Sequence, residues 1–357
     1  MGADGPARGA ILRPGAMDRT GSDVFLRTQL VRPFLAAVRA RGGDADALVR
    51  EFGLGADAEM APDVFVSISQ LRAFLVAAER AVGDPLLGVH TAPLFPRGAW
   101  GLVEFATRNA PRVRDAFARL ARYGRLLDDV VRFTYVEEGQ EGRLSQEVPG
   151  LPGGLGRHAN EFWMAALLGE TARAIGRPLR PVRVWLAHPA PREPGLLAGL
   201  AEALGTSALS FGAEANAFAL SAADLDAPLL SADPALLQHL DAHAEQALRH
   251  VPVPGGLALH VRQRLRQHLG QRLPGVAEVA RALRMSPRTL QRRLADEGTS
   301  FQALVDAVRE EQARLYVKES ERALDEVAWL LGYSEKSTFL RAFRRWTGTT
   351  PGQYRQG

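Results

Sequence analysis

The chain contains no cysteine. That excludes disulfides, thiol nucleophiles and thiolate metal sites. Long apolar runs are missing too: none approaches the ~20 residues that a membrane-spanning helix requires. Residues 1–22 (MGADGPARGAILRPGAMDRTGS) are rich in Gly, Ala and Pro and lack the continuous apolar core of a secretory signal. They read as a disordered tail or an over-long start, since Met17 could also begin the chain. With no export signal, the expected location is the cytoplasm. Lysine is nearly absent. Lys318 and Lys336 are the only two, so the positive charge is almost entirely arginine.

The 357 residues suggest two domains, and 46% hydrophobic with 24% charged residues is enough for an ordinary core. The net charge of +4 is unevenly placed. Residues 258–357 carry 18 Lys or Arg against 11 Asp or Glu, a balance of +7, which leaves −3 for residues 1–257. A mildly acidic body joined to a basic last hundred residues points to a polyanionic partner for the latter.

Apolar spacing predicts helices over 23–41 and 69–82, and 157–175 also reads as helix. Another is expected over 111–127, with Pro111 at its first position. Alternation over 130–138 and 142–148 predicts a hairpin around Gly139, and 181–188 and 216–221 read as further strands. This order is α+β rather than a regular βαβ array. A helix is expected over 233–250. VPVPGG (251–256) then breaks it, and the domain boundary is placed there. Beyond it, residues 257–346 read as six helices separated by short turns.

Those helices contain a repeat with a period of about 48 residues. In the first copy, VAEVARAL (276–283) is a short amphipathic helix. Ser286 is a good N-cap and Pro287 suits the first helical position. The next helix, 287–297, puts Leu290 and Leu294 on one face and Arg288, Gln291, Arg292 and Ala295 on the other. The second copy runs LDEVAWLL (324–331), a Gly332-Tyr333-Ser334 turn, and a helix over 335–346 with Phe339 and Phe343 as anchors. Lys336, Ser337, Arg341, Arg344 and Arg345 supply its polar face, and Ala280 matches Ala328 at the crossing. Gly332 suits a turn that needs φ > 0. Arg284 stands there in the first copy, at a cost of roughly 1 kcal/mol if the conformation is left-handed. Two short helices around a tight turn, the second of them basic, form the helix-turn-helix pattern. Between the copies, 300–320 reads as one long helix of about 18 residues, or roughly 27 Å. A connector of that scale could set two recognition helices in successive major grooves, roughly 34 Å apart.

The runs EVARALRMSPRTLQRRL and EVAWLLGYSEKSTFLRAFRRWTGTTPGQYR, joined by that helix, resemble the AraC/XylS family of bacterial transcription regulators. Residues 30–250 resemble, more loosely, the arabinose-binding-type sensor domain of one branch of that family. The carriers are RGAWGLVEFATRNAPRVRDAFARLARYGRLLDD, SFGAEANAF and LDAPLLSADPALLQHL. The resemblance implies an α+β effector-binding and dimerisation domain over 23–250, a linker over 251–256, and an all-α DNA-binding domain over 257–357. In that domain two helix-turn-helix motifs are joined by a long helix. It also implies double-stranded promoter DNA, a small-molecule effector, RNA polymerase and a second copy of the chain as partners, with activation as the usual mode. Carried over by position, base contacts fall to Arg288, Gln291 and Arg292, and to Lys336, Ser337, Thr338 and Arg341. Arg can grip guanine O6 and N7, and Gln can grip adenine. Arg293, Arg344 and Arg345 are assigned to phosphates, which position without reading sequence.

Other signals are weak. HLDAH (239–243) spaces two His as a zinc helix would, but Leu240 stands where a zinc protease has Glu, and no third ligand is evident. GGLGRHANE (153–161) follows no strand–turn–helix fingerprint, and His158 with Glu161 reads as a surface pair. No Ser-His-Asp set is present, so no enzyme, cofactor or metal site is expected. In the body, Trp100, Phe105, Tyr123, Phe162, Trp163 and Trp185 are candidates for an apolar effector pocket, with Arg97 and His158 to orient a polar end. Two alternatives stay open at this stage: an enzyme body fused to a DNA domain, and a C-terminal protein-interaction module.

Overall fold

The computed structural model describes residues 24–54, 64–128, 130–249, 251, 257–266, 268, 273–283, 285–318 and 323–356. The expected tail 1–22, nearly all of the expected linker 251–256, and Arg284 lie outside the described residues. The chain divides into two units, one of residues 1–124 and 133–241, the other of residues 125–132 and 242–357.

The first unit opens with β1 (Phe25–Thr28), paired antiparallel with β2 (Val64–Ser67) in the register Phe25↔Ser67. The helix expected over 23–41 is therefore a strand followed by α1 (Val31–Ala40). The strand depends on a backbone partner about 40 residues away, which local periodicity cannot reveal. α1 tolerates Pro33 because the first-turn N–H groups have no intrahelical acceptor. α2 (Ala45–Glu51) follows, capped by Asp44. α3 (Ile68–Val82) is set at both ends: Ser67 accepts from the Gln70 amide, and Gly83 closes it at φ +64°. Next come α4 (Leu87–Thr91), α5 (Gly101–Arg108) and α6 (Val113–Tyr123). α6 starts two residues after the expected Pro111. Arg112 is extended and bridges Pro228, and the Val113 amide donates to the Ala227 carbonyl.

The hairpin around Gly139 forms as β3 (Arg132–Glu138) and β4 (Glu141–Glu147). After α7 (Arg157–Ile175) come β5 (Arg183–Leu186), α8 (Pro194–Leu204), β6 (Leu209–Phe211), β7 (Asn216–Ser221), α9 (Ala222–Leu225) and α10 (Pro234–Leu248). The sheet order is β3-β4-β7-β5-β6. β7 runs antiparallel to β4 and β5, and β5 runs parallel to β6. The first unit is thus α+β. Its central helix is α7, along which His158, Asn160, Glu161, Phe162, Met164 and Leu167 are all buried.

The second unit is helical. The six expected helices are α11 (Leu257–Arg266), α12 (Val276–Ala282), α13 (Pro287–Asp296), α14 (Phe301–Lys318), α15 (Leu324–Leu330) and α16 (Lys336–Thr347). A seventh, α17 (Pro351–Gln356), follows them. Two separate cores form. Val261 and Leu265 of α11, Val279 and Ala280 of α12, Leu290 and Leu294 of α13, and Leu304, Val305 and Val308 of α14 make the first. Ala313 and Val317 from the far half of α14, with Val327, Ala328, Leu331, Phe339 and Phe343, make the second. The long helix is shared, one half to each core.

Candidate nucleic-acid interface

The two halves repeat the same local geometry. In the first turn the Leu283 amide donates to Val279 O at 3.0 Å and the Met285 amide to Ala280 O at 2.9 Å. In the second, Leu331 donates to Val327 O at 3.1 Å and Tyr333 to Ala328 O at 2.9 Å. Ala280 and Ala328 are 0% and 2% exposed, because only a small side chain lets the two helices of each motif approach. Ser286 caps α13, accepting from the Thr289 amide at 3.1 Å, and Pro287 occupies the first turn. Gly332 takes φ +74°, the left-handed turn position that favours glycine.

The second motif is slightly longer than the first. Val279 and Val327 lie 48 positions apart, the anchors Leu290 and Phe339 lie 49 apart, and the helix-ending Gly298 and Gly348, at φ +74° and +75°, lie 50 apart. By the anchors, Arg292 matches Arg341, and Arg288 matches Ser337. The N-cap of α16 is accordingly Glu335, which makes no capping bond, and the expected helix start shifts by one residue.

With the anchors buried, the opposite faces are exposed. Arg288, Gln291, Arg292 and Arg293 on α13, and Lys336, Ser337, Thr338, Arg341, Arg344 and Arg345 on α16, are all exposed. Arg288, Gln291, Arg292, Arg293 and Arg344 have no side-chain partner among the described residues. The others are engaged locally. Lys336 Nζ lies 2.7 Å from Asp325, Ser337 donates to Glu335 at 3.1 Å, Arg341 donates to Thr338 at 3.4 Å, and Arg345 pairs with Asp306 of α14 at 3.1 Å. Sequence reasoning missed Asp306 and Asp325, acidic residues that hold two of the candidate contacts before any DNA arrives.

Residues 42–229 match the model of the arabinose-binding domain found at the N-terminus of AraC transcription regulators, and residues 279–357 match a helix-turn-helix domain. The chain belongs to the AraC family of transcription regulators. It is 30% identical over 321 residues to the ornithine utilization regulator of Pseudomonas aeruginosa, covering 87% of this chain and 93% of that one. It is also 30% identical over 322 residues to the regulator VirS of Mycobacterium tuberculosis, covering 89% and 92%. The solved structure of the transcriptional regulator CdpR from P. aeruginosa aligns with 80% of this chain and 91% of that one, at 25% identity and a TM-score of 0.38. This AraC-type protein is a DNA-binding regulator and not an enzyme. No described helix is long and apolar enough to cross a membrane.

In the arabinose-binding-type domain, the residues singled out for an effector are dispersed. Arg97 is exposed. Tyr123, the last residue of α6, is buried, with the Arg122 guanidinium 5.8 Å from its ring. Phe162 is fully buried, its ring 5.7 Å from Phe34 and 5.5 Å from Phe95. Trp100 stacks on Trp163 at 5.3 Å, and the indole N–H of each is buried without a partner among the described residues. Of these residues, Trp100 lines a cavity of about 60 Å³, together with Phe117, Leu120, Leu167, Thr171 and Leu229. Phe105 is 45% exposed, and the Arg143 and Arg183 guanidinium groups lie 5.9 and 5.7 Å from the centre of the Trp185 ring. A larger cavity of about 1090 Å³ is lined by none of them. Its walls include His90, Leu168, Gly169, Arg180, Glu202 and Leu204.

His158 and Glu161 are not a surface pair. They are 2% and 0% exposed, because α7 is covered on several sides. His158 Nε2 lies 2.7 Å from Glu79, and Arg157 Nε donates to Glu161 at 3.0 Å. His188 Nε2 stands 3.6 Å from the same carboxylate, and its Nδ1 donates to the Pro189 carbonyl at 2.9 Å. Burial pushes the Glu161 carboxyl up to about 7, against the pull of Arg157. It pushes His188 down to about 4, against the Pro189 carbonyl, and lowers His158 against Glu79.

Proposed function

We propose that this regulator is an effector-controlled activator that reads promoter DNA in two successive major grooves. The observation that carries the reading is the pair of helix-turn-helix units, each with its own core, built on one 18-residue helix. Such a helix spans about 27 Å and is stiff at that length. In this reading, Arg288, Gln291 and Arg292, then Lys336, Ser337, Thr338 and Arg341, contact bases, while Arg293, Arg344 and Arg345 contact phosphates. The exposed pairs of Lys336 and Arg345 are no obstacle. Such surface ion pairs are worth ~0–1 kcal/mol, and a phosphate or guanine can replace the carboxylate.

The body binds a small molecule and dimerises, and the bound effector biases the arrangement that engages RNA polymerase. An effector can do so only through its difference in affinity for two states. The relative named for ornithine utilization makes ornithine the first effector to try. The proposed division of labour is residues 23–250 for effector and dimer, 251–256 as linker and 257–357 for DNA, in a cytoplasmic protein.

The test is selection of fragmented host genomic DNA on the full-length protein at physiological salt, followed by sequencing. Enrichment of a few upstream regions that share two short boxes about one helical turn apart supports the reading. Uniform recovery, with and without ornithine, removes it. On the selected site, Arg292→Ala and Arg341→Ala each cost ~1–3 kcal/mol and relax one base pair. Equal loss across all sequences would reassign them to the backbone.

A further inference from the structure

The turn of the second motif is held from outside the motif. Arg309, midway along α14, donates from Nε to the Leu331 carbonyl at 3.0 Å and from Nη2 to the Gly332 carbonyl at 3.2 Å. Its guanidinium also lies 4.5 Å from the centre of the Tyr333 ring. Tyr333 in turn sits 6.0 Å from Phe339, the first anchor of the recognition helix α16. The Leu331 carbonyl is at the C-cap of α15, one of the last four that have no intrahelical donor, and the Gly332 carbonyl follows it in the turn. A planar guanidinium can satisfy both at once while covering a ring. An ammonium is a point donor and cannot.

The placement of Arg309 matters as much as its bonds. Val308, the residue before it, is fully buried in the first core. Two residues on, Glu311 takes both Arg262 and Arg266 of α11, with Arg266 at 3.1 Å. Between positions 308 and 311, the connector is gripped by the first half and itself grips the turn of the second. The second core takes Ala313 and Val317 from farther along the helix, and the Arg345–Asp306 pair lies on the exposed side.

We propose that Arg309 is a positioning residue: it fixes the second recognition helix against the connector and so sets the box spacing that the protein accepts. α16 has 12 residues, or roughly 18 Å. A tilt of ~10° at its turn moves the far end by roughly 3 Å, close to the 3.4 Å rise of one base step. Arg309 touches no DNA, so it acts through α16 alone. The inference rests on the two-groove reading above.

The experiment uses full-length protein and the site selected from genomic DNA. Derivatives carry zero, one or two base pairs inserted or deleted between the boxes. Wild-type protein should protect both boxes and favour one spacing by ~10-fold or more over its neighbours, as a rigid two-site binder does. Arg309→Met should still protect both boxes and bind a single first-box fragment as wild type does. Its spacing preference should fall to ~3-fold or less. Arg309→Lys, which keeps the charge but not the fork, should fall between them. An unchanged spacing preference in Arg309→Met overturns the proposal. So does loss of protection over the second box, which would make Arg309 a residue that merely holds the motif folded. If wild-type protein protects one box only, the two-groove reading fails, and this inference goes with it.

Discussion

A carboxyl group with no exposed surface keeps its proton to near neutrality in the body of this regulator. Glu161 titrates at about 7 rather than 4.5, and its neighbour His188 at about 4 rather than 6.5. Between roughly pH 4.5 and 6.5 the unfolded chain holds Glu⁻ and His⁺ at these positions, while the folded chain holds neutral Glu and neutral His. The proton count is the same in both states, so the two contributions to the pH dependence of stability nearly cancel. Substituting one partner should expose the other. Glu161 alone binds more protons folded than unfolded, so its contribution to stability falls as pH rises from about 4.5 to 7. Glu161→Gln removes that fall. Melting curves should show the variant gaining on wild type across this window, by on the order of 3 kcal/mol, and holding constant on either side. His158, Glu79, Asp84 and Arg157 also face the cluster and are common to both proteins. A difference that stays flat with pH would show that Glu161 behaves as a solvated carboxylate. None of this was legible in the sequence. A His and a Glu three apart on a helix look like a surface pair, and only the covering of α7 on several sides makes them a buried cluster.

At the scale of the element, legibility follows how local the determinants are. α13 is written in full by adjacent residues: the Ser286 cap, Pro287, and Leu290 with Leu294 at one-turn spacing. The Gly139 hairpin is legible for the same reason. β1 is not, because its partner Val64–Ser67 is distant, and its sequence also fits a helical period. α17 is too short to show a period. It is held by tertiary contacts, among them Tyr354 against Phe343 at 5.4 Å and Arg355 Nε donating to the Val317 carbonyl at 3.0 Å. The expected interface residues did come to lie on exposed faces, since burial of the anchors dictates the rest of the helix. That separation predicts two phenotypes one helical turn or less apart. Leu294→Ala should cost ~2–5 kcal/mol and lower the melting temperature, as a large-to-small change in a core does. Arg292→Ala should leave the melt within ~0.5 kcal/mol and act on DNA binding only. Phe339→Ala should resemble Leu294→Ala but act on the second core. Hydrogen exchange would then show α15 and α16 exchanging faster while α12 and α13 stay protected. Loss of protection in all four would show that the two cores unfold as one.

At the scale of the whole molecule, the charge division carries more information than any single residue. A balance of −3 over residues 1–257 and +7 over 258–357 assigns the polyanion to one end of the chain. Family likeness and the repeat then identify it as DNA. A site for the proposed effector had no such signal. A pocket depends on which distant segments meet, and the larger cavity draws its walls from His90, Gly169 and Glu202, residues with nothing in their local sequence to mark them. The charge division makes a prediction about the binding equilibrium itself. Seven exposed basic side chains stand on the two recognition helices: Arg288, Arg292, Arg293, Lys336, Arg341, Arg344 and Arg345. If most of them displace counterions, affinity for the selected site should fall by ~10³–10⁵ between 50 and 200 mM salt. Arg293→Ala and Arg344→Ala should each make the slope of log K against log salt shallower by ~1, with little change in which sequence is preferred. Arg292→Ala should instead leave the slope nearly unchanged and relax the preference at one base pair. Fluorescence anisotropy on the selected duplex and on one mismatched at a single position separates the two patterns. A slope near zero for wild-type protein would mean that the basic faces meet something other than a nucleic-acid backbone. The same slope change for all three variants would mean that phosphates, not bases, occupy the place assigned to Arg292.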